Sequence, residues 1–260
     1  MGKQPEIQGW TSPPRLLSPR LAYDKVAAGY RRWRWYRFWR INETPIVADW
    51  LRSLRTGRGL DLGSGTGPYL RLIGDLGHRC VALDLSLQML RQIPRGLGTA
   101  KAGPRPRRVQ GDIVALPFAD DSFDWILCTR VLSHVPDHAA AMREMARVLT
   151  ADGECLLTDV HPAHPYDYVS IPHQGTRVAI ETYKHSLTEL NDVSATAGLR
   201  VESVKEYALG DLTEKPPRVT FAKLYAEPAR QIFYVCRLVK AACPRVGSAD
   251  QISSAVASRS

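Results

Sequence analysis

Residues 60–70 read LDLGSGTGPYL, an apolar run carrying an acid and then glycines at 63, 65 and 67 within one short turn. Glycines in a strand-to-helix turn let the backbone take positive φ and let a ligand approach the main chain. Any tight turn can hold glycines, so the next run matters. VALDLS at 81–86 places Asp84 at its end, where a ribose diol needs a two-oxygen acceptor. An adenine nucleoside is therefore the leading ligand, and GSGTG, which lacks the GxGxxG spacing that seats a dinucleotide pyrophosphate, points away from NAD.

Outward from this turn, RGLDLG, RCVALDLS, RRVQGD, FDWILCTR and GECLLTDV read as five strands, with helices such as 85–93 and 138–149 between them. That alternation is the mark of a parallel sheet with helices on both faces. LRVESVKEYAL and RQIFYVCRLV read as two further strands. Ahead of the sheet, 21–54 has a helical pattern with a break at Asn42-Glu43-Thr44-Pro45, where Pro45 suits a helix start. The polar residues 1–20 and 244–260 read as a flexible extension and a flexible tail.

At 260 residues the chain can bury the core of one large α/β domain. Its five cysteines show no ligand spacing, so reduced thiols are expected, with no metal site and no disulfide framework. No apolar run matches a secretion signal or a membrane span, which points to the cytoplasm. The first 60 residues hold twelve Lys or Arg against four Asp or Glu, so +8 of the formal net charge of +9 lies there. Such a patch suits nucleic acid, anionic lipid, an anionic substrate or plain solvated surface.

The motifs together resemble the class I S-adenosylmethionine-dependent methyltransferases, and within them the ubiquinone/menaquinone C-methyltransferase-like group acting on small molecules. The resemblance spans residues 56–160 and is strongest in GDIVALPFADDSFDWILCTRVLSHVPD at 111–137, with MREMARVLTADGECLLTDV following. It implies a Rossmann-like, doubly wound α/β fold whose seven-stranded sheet is mostly parallel with the last strand antiparallel. Within a methyltransferase domain at 21–243, residues 21–54 form a helical cap, 56–160 the cofactor-binding core and 161–190 a substrate-side insertion. S-adenosyl-L-methionine is the implied cofactor. The loop of Gly63, Ser64, Gly65 and Gly67, with Asp61 at its mouth, holds the methionine end and the sugar, and Asp84 holds the ribose hydroxyls. Leu85 packs on adenine, Met89 joins the cofactor contacts, Asp112 and the Ile113 amide read the adenine edge, and Thr129 presents its backbone to the amino group. YDKVAAGY at 23–30 matches an N-terminal element that closes over the cofactor and puts Tyr30 near the sulfonium. One departure, TADGE at 150–154 in place of Pro-Gly-Gly, bears on turn geometry and not on cofactor use.

The expected activity is in-line methyl transfer to O, N or C of a small molecule, a secondary or specialised metabolite. Alignment and water exclusion are its main demands. By the same resemblance, His134 after the fourth strand and Asp159 after the fifth are the candidate general-base pair; a histidine there can equally be structural. HPAHPYDYVSIPHQG at 161–175 reads as a proline-rich loop or insertion over the site, with His161 and Tyr166 as substrate contacts; Tyr183 and His185 of TYKHS join them, ahead of a helix starting near Ser186.

RRWRWYRFWR at 31–40 interleaves five arginines with five aromatics. A membrane-surface helix would segregate them, so burial on more than one side is expected, with Trp33, Trp35 and Tyr36 walling a flat or hydrophobic substrate. Arginine among aromatics also holds single-stranded nucleic acid, which makes RNA methylation the alternative and a non-methylating use of the fold the third reading. The expected partner is a small-molecule acceptor rather than nucleic acid, and the chain is expected to be a monomer or homodimer.

Overall fold

A computed structural model of the chain describes residues 15–97, 105–165, 167–217 and 227–241. Its main sheet joins β2 (Arg58–Leu62), β3 (Arg79–Asp84), β4 (Arg107–Gln110), β5 (Phe123–Thr129), β6 (Leu149–Val160), β9 (Leu199–Ala208) and β10 (Gln231–Lys240) in the order β4-β3-β2-β5-β6-β10-β9. β2 through β6 pair in parallel, and β10 is antiparallel to both of its neighbours. This is the doubly wound sheet expected, and all seven strands read from sequence are in it.

The two faces of the sheet build two cores, because successive side chains on a strand point to opposite sides. Leu60, Leu62, Ile126, Cys128 and Leu157 face α5 (His138–Val148), whose stripe Ala141, Met142, Met145 and Val148 is buried. Trp125, Leu127, Leu156 and Phe233 face the long helix α2 (Arg34–Ser53) through Trp39, Val47, Trp50 and Leu51, and also meet α3 (Leu70–Asp75). Each large apolar side chain so buried contributes about 1.5–3 kcal/mol before entropy is subtracted. The short helix α4 (Leu87–Arg91) starts at Ser86, which accepts from Met89 N at 3.1 Å; Asp137 caps α5, and Ser186 caps α6 (Leu187–Thr196) in the same way. The turn at TADGE has its left-handed residue at Asp152 (φ 61°), inside the run that forms β6.

Three expectations are corrected. Helix α2 runs unbroken through Asn42 to Pro45, since the stripe Trp39, Val47, Trp50 and Leu51 packs across the proline and Asn42 Nδ2 bonds the Phe38 and Glu214 carbonyls at 3.0 and 2.9 Å. The break lies earlier, where α1 (Pro19–Val26) passes through a 3-10 turn at Ala27–Arg32 before α2 begins. The segment 161–175 is also more than a loop. It contains β7 (Tyr168–His173), which pairs with β8 (Thr176–Glu181), while β1 (Leu16–Leu17) pairs with β8 on its other side. Pro172 is tolerated because β7 is an edge strand. Ala22 and Val26 of α1 pack on Ile171, Val178 and Ile180 of this small sheet, so the N-terminal helix and the later hairpin form one cover over the carboxyl ends of the main strands. The flexible extension expected over 1–20 does not hold for its last residues, since pairing with β8 places Leu16–Leu17 in β1 and α1 starts at Pro19; the ends at 1–14 and 242–260 lie outside the described residues.

Gly59 in β2 is held by register. It pairs with Trp125, and a Cβ there would sit 2.0 Å from the indole Cζ2. Gly59→Ala is predicted to cost about 1–3 kcal/mol or more through forced movement of a buried ring; a urea-denaturation midpoint unchanged from wild type would show that the strand accommodates the methyl group freely.

Candidate active site

At the carboxyl ends of β2, β3 and β5 lies a cavity of about 370 Å³. Gly63, Ser64 and Gly65 follow β2, Asp84, Leu85 and Met89 follow β3, Asp112 and Ile113 follow β4, and Thr129 ends β5; all of them line it. Tyr23, Tyr30, Trp33 and Tyr36 form its roof. Of the cofactor residues expected from sequence, only Asp61 and Gly67 do not reach the wall. Gly67 sets the turn, with φ 71° and a Cβ position 2.7 Å from Leu70 Cδ1; Gly63, at φ 71°, is fixed in the same way by Val131. Asp61 lies beneath the loop, 1% exposed.

The acids here are electrostatically unusual. Asp84 accepts from Gly65 N at 2.7 Å and Ser86 N at 2.8 Å, yet burial outweighs these bonds and lifts its carboxyl to about 6. Asp61 is raised further, to about 7, by burial and then by Asp84, against the pull of Arg130. Its Oδ2 has no hydrogen-bond partner, and the same holds for the buried hydroxyls of Ser64 and Thr66 on the cavity wall.

The roof is tied down at several points. Asp24 Oδ1 accepts from Ser86 Oγ at 2.6 Å and Gln88 N at 3.2 Å, joining α1 to α4. Arg31 donates to the Thr66 carbonyl at 2.5 Å, and Arg40 donates to the Pro68 carbonyl. The aromatic stretch forms a chain of ring contacts, Tyr23 to Tyr30 at 5.9 Å, Tyr30 to Trp33 at 5.7 Å, Trp33 to Trp35 at 6.5 Å and Trp35 to Phe38 at 5.0 Å.

His134 is placed differently from expectation. Its Nδ1 lies 3.1 Å from the Glu181 carbonyl, which only accepts, so Nδ1 carries the proton and Nε2 keeps its lone pair. That lone pair receives the Tyr23 hydroxyl at 2.8 Å. Asp159 makes no hydrogen bond to the imidazole; its carboxylate accepts from Ser133 N at 2.8 Å and from Val160 N at 2.7 Å. The partner that orients His134 is thus a main-chain carbonyl from β8, which no sequence spacing reveals. Burial lowers the His134 pKa and raises those of Asp159 and Tyr23.

A second cavity of about 140 Å³ adjoins the first. Trp33, Trp35, His161, Tyr183 and His185, the candidate acceptor contacts, line it together with Asp159, Tyr168, Arg177 and Tyr234. Tyr36 faces the first cavity instead, and Tyr166 lies outside the described residues. Trp33, Trp39, Ser133, Val160 and Val169 belong to both walls, so the cavities meet there.

Sequence reading missed Tyr23 as a polar partner, and it missed the pair Glu43 and Arg130. Arg130 has left-handed backbone (φ 57°), sits 3.1 Å from the fully buried Glu43 carboxylate and lies over the Trp39 ring at 5.3 Å. A signal existed: Glu43 falls on the stripe Trp39, Val47, Trp50 at helical spacing, a charge on a core face.

Residues 60–157 match the family model described as a methyltransferase domain. Over those residues the chain is similar to that methyltransferase domain family. It is 41% identical over 153 residues to a demethylmenaquinone methyltransferase of Roseiflexus castenholzii, covering 55% of this chain and 60% of that one. It spans about half the length of the curated relatives it matches. Among solved structures, a chain from the complex between the Haloferax volcanii Trm112 methyltransferase activator and the putative methyltransferase superposes with TM-score 0.67 at 21% identity, over 87% of this chain and 99% of that one. An S-adenosylmethionine-dependent methyltransferase from Mesorhizobium loti gives 0.57 at 21% identity, over 76% and 97%. At these identities the structures share the fold.

The residues present fit S-adenosylmethionine. The partnerless Ser64 Oγ and Thr66 Oγ1 belong to residues of the cavity wall at the glycine loop, and buried polar atoms without partners are costly unless a ligand satisfies them; Asp61, beneath the loop, carries a third such atom. Asp61 then has a measurable signature. Its native pKa of about 7 stands above the ordinary 3.8, so the folded protein binds the extra proton between these values and stability falls as pH rises through that window. Asp61→Asn keeps the shape and removes the charge. It is predicted to melt higher than wild type at pH 8, with the difference closing toward pH 4; each kcal/mol is about 2–4 °C for a domain of this size. A variant that melts no higher at pH 8 contradicts the assignment.

Proposed function

We propose that this chain transfers a methyl group from S-adenosylmethionine to O, N or C of a small, flat, largely apolar acceptor. The observation that carries the reading is the meeting of two cavities at Trp33, Trp39, Ser133, Val160 and Val169, one walled by the glycine loop and the acids, the other by aromatics. Gly63 to Gly65, Asp84, Asp112 and Ile113 are the residues to hold the cofactor, which supplies an electrophilic methyl group when bound. The aromatic walls align the acceptor and exclude water. Quinone-class rings are the first acceptors to test, given the relative named for demethylmenaquinone.

For an acceptor that arrives protonated, Tyr23 and His134 form the route for its proton. The Tyr23 oxygen takes the acceptor's proton as its own hydroxyl proton passes 2.8 Å to His134 Nε2, and the Glu181 carbonyl supports the resulting imidazolium through Nδ1–H. Asp159 acts on this scheme by fixing the Ser133 amide beside the histidine. The nucleic-acid reading is disfavoured by where the arginines go, since Arg31 and Arg40 bond loop carbonyls and Arg37 pairs with Glu214 at 3.3 Å.

Acceptor candidates are screened by mass spectrometry for gain of one methylene unit in the presence of S-adenosylmethionine. With an acceptor in hand, Tyr23→Phe and His134→Ala are predicted to lower kcat by about 10²–10⁴ while cofactor Kd changes little. Because burial depresses the His134 pKa from its ordinary 6.5, the acid limb of the kcat profile lies below that pH, and it disappears in His134→Ala. Full activity in both variants means that alignment alone drives transfer.

A further inference from the structure

The start of α5 and the start of α6 meet beside the second cavity, and three side chains converge there. His138 opens α5, His185 lies in the turn ahead of α6, and Glu189 is in the first turn of α6. Potential ligand atoms of all three lie within 4.8 Å of one another. The imidazoles stack with centroids 3.9 Å apart, and His138 Nε2 stands 3.8 Å from Glu189 Oε1.

Proton bookkeeping makes this arrangement incomplete. His185 Nε2 lies 2.8 Å from the Val135 carbonyl, so that nitrogen donates to it and Nδ1 is the one left to face a ligand. His138 is 6% exposed, and its Nε2 is buried with no hydrogen-bond partner. At 3.8 Å the Glu189 carboxylate is too far to accept from it. A carboxylate oxygen and two imidazole nitrogens this close together, one of them buried without a partner, are placed to share a cation.

We propose that His138, His185 and Glu189 bind a divalent transition-metal ion of the zinc class. Two imidazoles and one carboxylate form a donor set suited to zinc and its neighbours rather than to magnesium or calcium, which take oxygen ligands. Glu189 is exposed, leaving a fourth position for water or an acceptor heteroatom. The Val135 carbonyl supplies the outer hydrogen bond that fixes the tautomer and orientation of His185. The set escapes a reading of spacing because His138 and His185 come from separate elements brought together by the fold. Metal there would brace the turn at 182–186, which carries Tyr183 and His185 into the second cavity.

The test uses full-length, tag-free protein stripped with chelator and titrated with Zn²⁺ by calorimetry, with Co²⁺ absorption reporting coordination and Mg²⁺ as control. One Zn²⁺ per chain is expected at micromolar affinity or tighter, with a rise in Tm and cobalt bands of a low-coordinate site. Glu189→Gln and His185→Gln are each expected to weaken binding by about tenfold or more and to abolish the cobalt bands. These residues are only partly buried or exposed, so the test does not depend on the buried His138. Absence of Zn²⁺ binding, or binding unchanged in both variants, overturns the proposal; the second result would place the metal at another histidine such as His161, which already pairs with Glu206 at 2.6 Å.

Discussion

The Glu43 carboxylate is the constraint on which the site depends. It is fully buried, and three groups from three parts of the chain converge on it: Arg130 at 3.1 Å, the Tyr69 hydroxyl at 2.9 Å and the Thr158 hydroxyl at 2.7 Å. A buried charge is tolerable only when so satisfied, and stripping one partner typically costs about 3–5 kcal/mol. The consequence is positional. Helix α2 is pinned to the turn before α3, to the end of β5 and to the end of β6 at once, which sets the aromatic roof over the strand ends. Arg130 completes the arrangement by lying over Trp39, a residue shared by both cavities.

A second zipper holds the other side of the site. The Glu181 carbonyl orients His134, Tyr183 N donates to the Ser133 carbonyl at 2.8 Å, and His185 bonds the Val135 carbonyl at 2.8 Å. Three alternating residues of one segment therefore fasten onto the turn after β5. The same segment contributes Tyr183 and His185 to the wall of the second cavity. Whatever orders residues 181–185 acts on the histidine and on that wall together, which gives the His138, His185 and Glu189 cluster its interest.

Much of the fold was legible because parallel strands buried on both faces leave continuous apolar runs, as in FDWILCT and LDL, and because glycine turns and terminal acids mark where the ligand edge lies. Asp84 was read from its place at a strand end, and Leu85, Asp112 and Thr129 from the resemblance; all four line the first cavity because they end strands or follow them. Local rules failed where tertiary packing decides. Pro45 suggested a helix start, yet a buried stripe carried α2 through it. His134 and Asp159 looked like partners because both lie after strands at the same edge, but the hydrogen bonds go to Tyr23 and to a carbonyl of β8. The small sheet escaped notice since it joins residues 16–17 to 168–181, and pairings so distant leave no local pattern.

The central claim is that the segment from Tyr23 to Tyr36 is the roof of the cofactor cavity and the wall shared with the acceptor. Amide hydrogen exchange with and without S-adenosylhomocysteine tests it most directly, since backbone protection reports which elements close on the ligand. Slower exchange at residues 23–36 together with 63–67 and 84–89 is the expected result. Protection of the glycine loop and the Asp84 region with no change at 23–36 would contradict it, leaving the aromatic stretch as a surface unrelated to the cofactor.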